Sequence, residues 1–114
     1  MRAERGAGTA LTLGLGLGLV ALLLLVLPVH AVVVARHAVA AAADAAALAA
    51  ADAASGAVPG HPCEVAVLVA EANGASVRSC EVDGLVATVT TGRTILGLDV
   101  SERATAGPAG SAPD

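Results

Sequence analysis

Three histidines, two cysteines and ten carboxylates are the side chains of this 114-residue chain that can do acid–base, nucleophilic or metal chemistry. Nucleophilic catalysis needs a base within hydrogen-bond reach of a Ser or Cys. His30, His37 and His61 stand at no such spacing, and His61-Pro62-Cys63 is no known motif. A structural zinc takes four ligands, commonly as two pairs. His61 and Cys63 have no second pair, so zinc is set aside. His30, His37 and Asp44 recur every seven residues and would share a helix face. That pattern suits a proton or metal relay, but a solvated stripe on an otherwise apolar rod is the preferred reading. Glu64, Glu71 and Glu81 are scattered as on a solvated surface. Gly14 to Gly18 lie within an apolar run, unlike a phosphate-binding loop. The expectation is therefore a protein that is not an enzyme, with no catalytic residue, no cofactor and no bound metal.

The thiols suggest a different chemistry. An even number of cysteines in a small, outward-facing region points to a disulfide. Pro62 to Asn73 reads as a short helix, with Pro62 in its first turn and Gly74 as its left-handed stop. Ten residues of helix cover about 15 Å. The strand returning from Ala75 to Cys80 covers about 17 Å. The sulfurs of Cys63 and Cys80 would then meet. Two buried free thiols are the alternative.

The elements that must carry these residues follow from composition. Only 14% of the chain is charged, 56% is hydrophobic, and Phe, Trp and Tyr are absent. An ordinary soluble domain carries about 25% charge and fills its core with aromatics. The net charge is −4 with no Lys, which gives no basic footprint for nucleic acid. The bias toward Ala, Gly and Arg reads as a GC-rich, bacterial genome.

From Ala10 to Ala35 there is no charge, and Leu11 to Leu27 holds ten leucines. A bilayer core takes about 20 apolar residues as a helix. Pro28 is compatible with such a helix. Two readings compete. A retained anchor is preferred, because the apolar run before Pro28 exceeds the usual signal-peptide core. The alternative is a signal peptide cleaved after Val29-His30-Ala31, which would release a small secreted disulfide protein. On the anchor reading Arg2 and Arg5 are cytoplasmic. The region beyond Ala35, with four Arg against nine acidic residues, faces outward across the plasma membrane.

Val29 to Ser55 is dominated by Ala, the strongest helix former. Joined to the apolar span it predicts one long helix, whose excess stands outside the membrane as a stalk. Gly14 and Gly18 form a GxxxG step suited to close helix packing, against the alternative of Leu-Gly alternation with no partner. Asp44 and Asp52 lie near one face and could pair with Arg36 of a neighbouring subunit. Beyond Val58-Pro59-Gly60, Ala75 to Val82 and Leu85 to Thr91 flank Asp83-Gly84, a strong hairpin signal. Leu96, Leu98 and Val100 alternate with polar residues and Gly, predicting a third half-buried strand.

The expected fold is α+β: a long transmembrane helix, an Ala-rich stalk, then a small outer module of one short helix and about three antiparallel strands. The divisions are a cytoplasmic N-terminus 1–9, a transmembrane helix 10–35, a stalk 36–55, a linker 56–61, a disulfide-linked head 62–106 and a disordered tail 107–114.

This order of features resembles the TadE/TadG-like (tight adherence, Flp pilus assembly) family, and more closely the short actinobacterial TadE-like proteins encoded near secretion genes. The matching pieces are Glu4 through Thr9, the Leu-rich span, Ala35-Arg36-His37 and the Ala41–Ala51 run with Asp44 and Leu48. Pro62-Cys63, Ala72-Asn73-Gly74-Ala75, Cys80 and Arg103 through Pro108 complete the series. The resemblance implies a pilin-like or pseudopilin subunit of a Tad-type pilus or secretion apparatus. Its N-terminal helix would meet the lipid bilayer, other subunits or a second copy of itself, with Arg36, Asp44, Leu48 and Asp52 on the stalk. One departure stands out. Type IV pilins carry Glu five residues after the cleaved Gly, whereas Leu11 follows Gly6 and Leu13 follows Gly8 here.

Overall fold

The computed structural model describes residues 2–110, with side chains from Gly6 onward. The charges of Arg2 and Arg5 and the last four residues of the expected tail lie outside the described residues. Helix α1 runs Arg2–Ala54, with Pro28 inside it. Helix α2 is Pro62–Ala72, and strands β1, β2 and β3 are Ser76–Asp83, Val86–Ile95 and Leu98–Ala106. The α+β class and the order of elements are as the sequence predicts.

The chain divides into two units, residues 1–32 and 33–114. The first is helix alone. Its leucines and valines from Leu11 to Val29 stand 48–71% exposed. The second unit, the head, is one sheet in the order β1-β2-β3, both pairs antiparallel. Helix residues from both α1 and α2 cover one face of it.

The second half of α1 corrects the expected division into stalk and head. Ala35, Val39, Ala42, Ala43, Ala46, Ala47, Ala50, Ala51 and Ala53 are all buried. Several of them share a core with Ala66 and Ala70 of α2, Ala87 and Val89 of β2, and Ala104 of β3. The Ala-rich segment is thus the central element of the head and not a free stalk. Among the described residues, thirteen of the sixteen buried apolar ones are alanine, so the core works by close backbone approach and not by large side chains. The exposed ridge of the same helix carries His37, Ala41, Asp44, Leu48 and Asp52, spaced three and four apart.

Glycines end both helices as the sequence predicts. Gly56 (φ +82°) lets Ala57 N–H donate to Asp52 C=O at 2.9 Å and its own N–H to Ala53 C=O at 3.2 Å. Gly74 (φ +80°) does the same for α2, with Ala75 N–H on Ala70 C=O at 3.0 Å. This is the left-handed stop that only Gly adopts without strain.

The hairpins shift by a residue or more from the sequence reading. Gly84 (φ +61°) and Leu85 form the β1–β2 turn, and Asp83 belongs to the strand. The second turn is Leu96-Gly97, both at positive φ, between the paired Ile95 and Leu98. The third strand therefore starts at Leu98, and of the alternating set only Val100 is buried. Strand β2 also extends through Gly92 to Ile95, where the sequence reading stopped at Thr91. Gly92 leaves room there for a long side chain from the neighbouring strand. A Cβ at this position would meet the Arg78 guanidinium at 2.6 Å. Arg78 is the bulged residue of β1 and lies across β2 to reach Asp99 of β3 at 2.7 Å.

Cys63 in the first turn of α2 is bonded to Cys80 of β1, with Cα atoms 5.8 Å apart. The bond fastens α2 to an edge strand. Closing a loop of this size contributes about 3 kcal/mol in the chain-entropy account.

Two stability outcomes follow. Ala46→Leu forces a larger side chain into the closed helix–sheet contact and should cost about 1–3 kcal/mol. Ala41→Leu, on the exposed ridge, should stay within about 0.5 kcal/mol. Urea titration of the full chain in detergent micelles compares them. In the same assay, the Cys63→Ser/Cys80→Ser double variant should lose about 3 kcal/mol.

Candidate functional site

The largest unsatisfied feature of the chain is the surface of α1 before the head. Gly6–Ala54 contains a stretch long and apolar enough to cross a membrane, and that stretch is wholly unburied. Leu15, Leu24 and Leu25 are 67%, 67% and 71% exposed. In water, each fully exposed Leu forgoes about 1.5–3 kcal/mol of burial. Lipid removes that cost. It also leaves the backbone content, because a helix pairs its own N–H and C=O groups. Thr12 in this stretch donates its hydroxyl to Gly8 C=O at 2.8 Å, which removes a polar group from the apolar surface.

Gly14 and Gly18, expected to pack against another helix, have open space where a Cβ would stand, as has Gly16. A second small-residue face was missed. Gly8, Thr12 and Gly16 line a shallow groove with Leu13, Leu17 and Val20. The four-residue spacing Gly8, Thr12, Gly16 was the available signal, masked by the more regular Leu-Gly alternation.

The residues assigned to the stalk separate in their roles. Arg36 Nε lies 3.6 Å from Glu102 Oε1 of β3, within the same chain. The expected partner was a carboxylate of a neighbouring subunit. The sequence distance between Arg36 and Glu102 hid this pair, which depends on the sheet folding back over α1. An exposed pair at this distance contributes under about 1 kcal/mol. It sits beside a stronger constraint. The buried Thr91 hydroxyl donates to Val39 C=O at 2.8 Å, and Thr91 stands opposite Glu102 in the register. These two contacts set how far α1 slides along the sheet. Asp44 and Asp52 are exposed on the outer ridge. Leu48, 58% exposed, borders a small depression with Leu85 and Pro108.

The sheet face away from the helices is polar. Thr88 and Thr105 share a hydroxyl hydrogen bond at 3.0 Å, and Arg103 Nε donates to Thr90 Oγ1 at 3.4 Å. Such cross-strand pairs suit a face turned to water. His30, His37 and His61 are exposed, and among the described residues no three His, Cys, Asp or Glu side chains gather as a metal site would. The described residues thus present an exposed apolar helix surface and a disulfide-bridged head with a polar outer sheet face. No family model, curated protein or solved structure matches this chain.

Proposed function

We propose that the chain is a single-pass, membrane-anchored, pilin-like subunit, of the kind the TadE-like resemblance implies, in a Tad-type pilus or secretion assembly. The observation that carries this is the division of labour along α1. Its first half exposes leucine on every side, and its second half buries alanine against a sheet. A helix hydrophobic all round belongs in lipid or among other apolar helices. Ten Leu at about −0.5 kcal/mol each favour insertion by roughly 5 kcal/mol.

The head supports the outward orientation. A disulfide between Cys63 and Cys80 belongs to an oxidising compartment. Arg2 and Arg5 precede the apolar run, while acidic residues dominate beyond it, the charge order of a cytoplasmic N-terminus. The protein acts as a structural part. The small-residue faces at Gly8, Thr12 and Gly16 and at Gly14 and Gly18 receive helices of other subunits or of a second copy, because small residues let backbones approach in lipid.

A second reading has one observation in its favour. The head begins at Val33, so cleavage after Ala31 would release it with its central helix segment whole. Fractionation and intact mass of the chain expressed in a bacterial host separate the two. The anchored subunit stays in the membrane pellet after alkaline carbonate and keeps residues ahead of Ala31. A soluble species beginning at Val32 in the medium overturns that reading in favour of secretion.

A further inference from the structure

We propose that the tip of the β2–β3 hairpin, Ile95-Leu96-Gly97-Leu98, is a second lipid-binding element that seats the head against the bilayer surface. This rests on the membrane-anchored reading above.

Leu96 and Leu98 are 68% and 55% exposed, at the end of the head where neither packs in its core. The turn makes the choice of Leu96 more pointed. A two-residue turn with both central residues at positive φ favours Asn-Gly. Here the first is Leu96 at φ +51°, a conformation a bulky residue adopts only under strain. Neither the turn nor the core asks for an apolar side chain there.

The direction of the hairpin gives that side chain a destination. At the far end of the head, Leu85 and Gly107 flank Leu48 and Ser55 of α1. Further along the sheet, Thr91 bonds Val39 and Glu102 meets Arg36. Passing along β2 toward its C-terminal end therefore moves back along α1 toward Val33. From Thr91 to Ile95 the strand advances about 13 Å. From Val39 to Val33 the helix covers about 9 Å. The tip thus reaches the Val33 end of the head, the end at which the apolar segment joins it. Val33 and Val34 are themselves about half exposed there, at 48% and 52%.

Charge follows the same axis. Next to Leu98, Asp99 is neutralised by Arg78, while Arg93, two residues before Ile95, is exposed and has no ion-pair partner among the described residues. The opposite end of the sheet carries Asp83 beside its turn, and Asp52 of α1 borders the depression next to Leu85 at that end. An apolar tip with a cation set just behind it matches the boundary between acyl chains and anionic headgroups. The acidic end would be repelled by the same surface.

The chain has no Trp, Tyr or Phe, so one introduced indole reports alone. Full-length Leu98→Trp, and separately Leu85→Trp at the opposite turn, are reconstituted into phosphatidylethanolamine–phosphatidylglycerol vesicles with and without brominated acyl chains. Leu96→Trp serves as a second reporter at the tip, resistance of Cys63 and Cys80 to maleimide without reductant verifies that the disulfide has formed, and a cooperative urea transition verifies a folded head. The indole of the Leu98→Trp chain should shift to the blue and be quenched about twofold by the brominated lipid, while that of the Leu85→Trp chain changes by under about a tenth. If the chain floats with the vesicles but both tip reporters stay unquenched, the hairpin proposal is overturned and the anchor stands. A blue-shifted, unquenched indole in the Leu98→Trp chain also overturns it, in favour of a protein contact. Equal quenching in the Leu85→Trp and Leu98→Trp chains overturns the directional seating. Failure to float overturns both the anchor and the hairpin contact.

Discussion

An alanine surface holds a partner only when the backbones come close, because each side chain offers a single methyl group. The head is built on that requirement. The face of α1 from Ala43 to Ala51 meets Ala66 and Ala70 of α2 and the small inward positions Ala87 and Ala104 of the sheet. A larger residue at any of these places would hold the layers apart and forfeit the neighbouring contacts as well. Specific polar contacts then fix the register that methyl groups leave loose. Thr91 holds Val39 C=O from below, and Arg36 reaches Glu102 at the border.

Much of this plan was legible in the sequence. The apolar run, the helix stops at Gly56 and Gly74, the pairing of Cys63 with Cys80, the first hairpin and the presence of a third strand all rest on local chemistry, and local chemistry can be read one segment at a time. The partner of the Ala-rich segment could not be read this way. An alanine run carries little contrast between faces, so its buried side emerges only when the sheet supplies the matching surface. The polar ridge of His37, Asp44 and Asp52 was a signal for the opposite side, and it was visible as a stripe without revealing what lay behind it. The continuation of β2 past Thr91 was hidden for a related reason. Glycine weakens a strand in isolation, yet here Gly92 makes room for the Arg78 guanidinium crossing to Asp99. The turn at Leu96 was hidden because a leucine at positive φ contradicts turn statistics. The apolar alternation then pointed toward a core that holds only Val100.

A single helix thus carries two kinds of surface, exposed leucine and buried alanine, by changing residue type and not conformation. Leucine is suited to a partner that is fluid and everywhere, alanine to one that is rigid and on one side. Two small-residue faces lie on the leucine half, at Gly8, Thr12 and Gly16 and at Gly14 and Gly18. They are the places where a rigid partner can approach the backbone within a stretch otherwise suited to lipid.

The Cys63–Cys80 bond joins α2 to β1 and leaves α1 outside its loop. Tension entering along α1 would pass through residues 55–62 and cross from Cys63 directly to Cys80. Residues 64–79 are thereby excluded from the mechanical load. The covalent load path shortens to an elbow between the two cysteines, and the segment most exposed to shearing is the alanine interface itself, where α1 is held to the sheet by packing and a few hydrogen bonds.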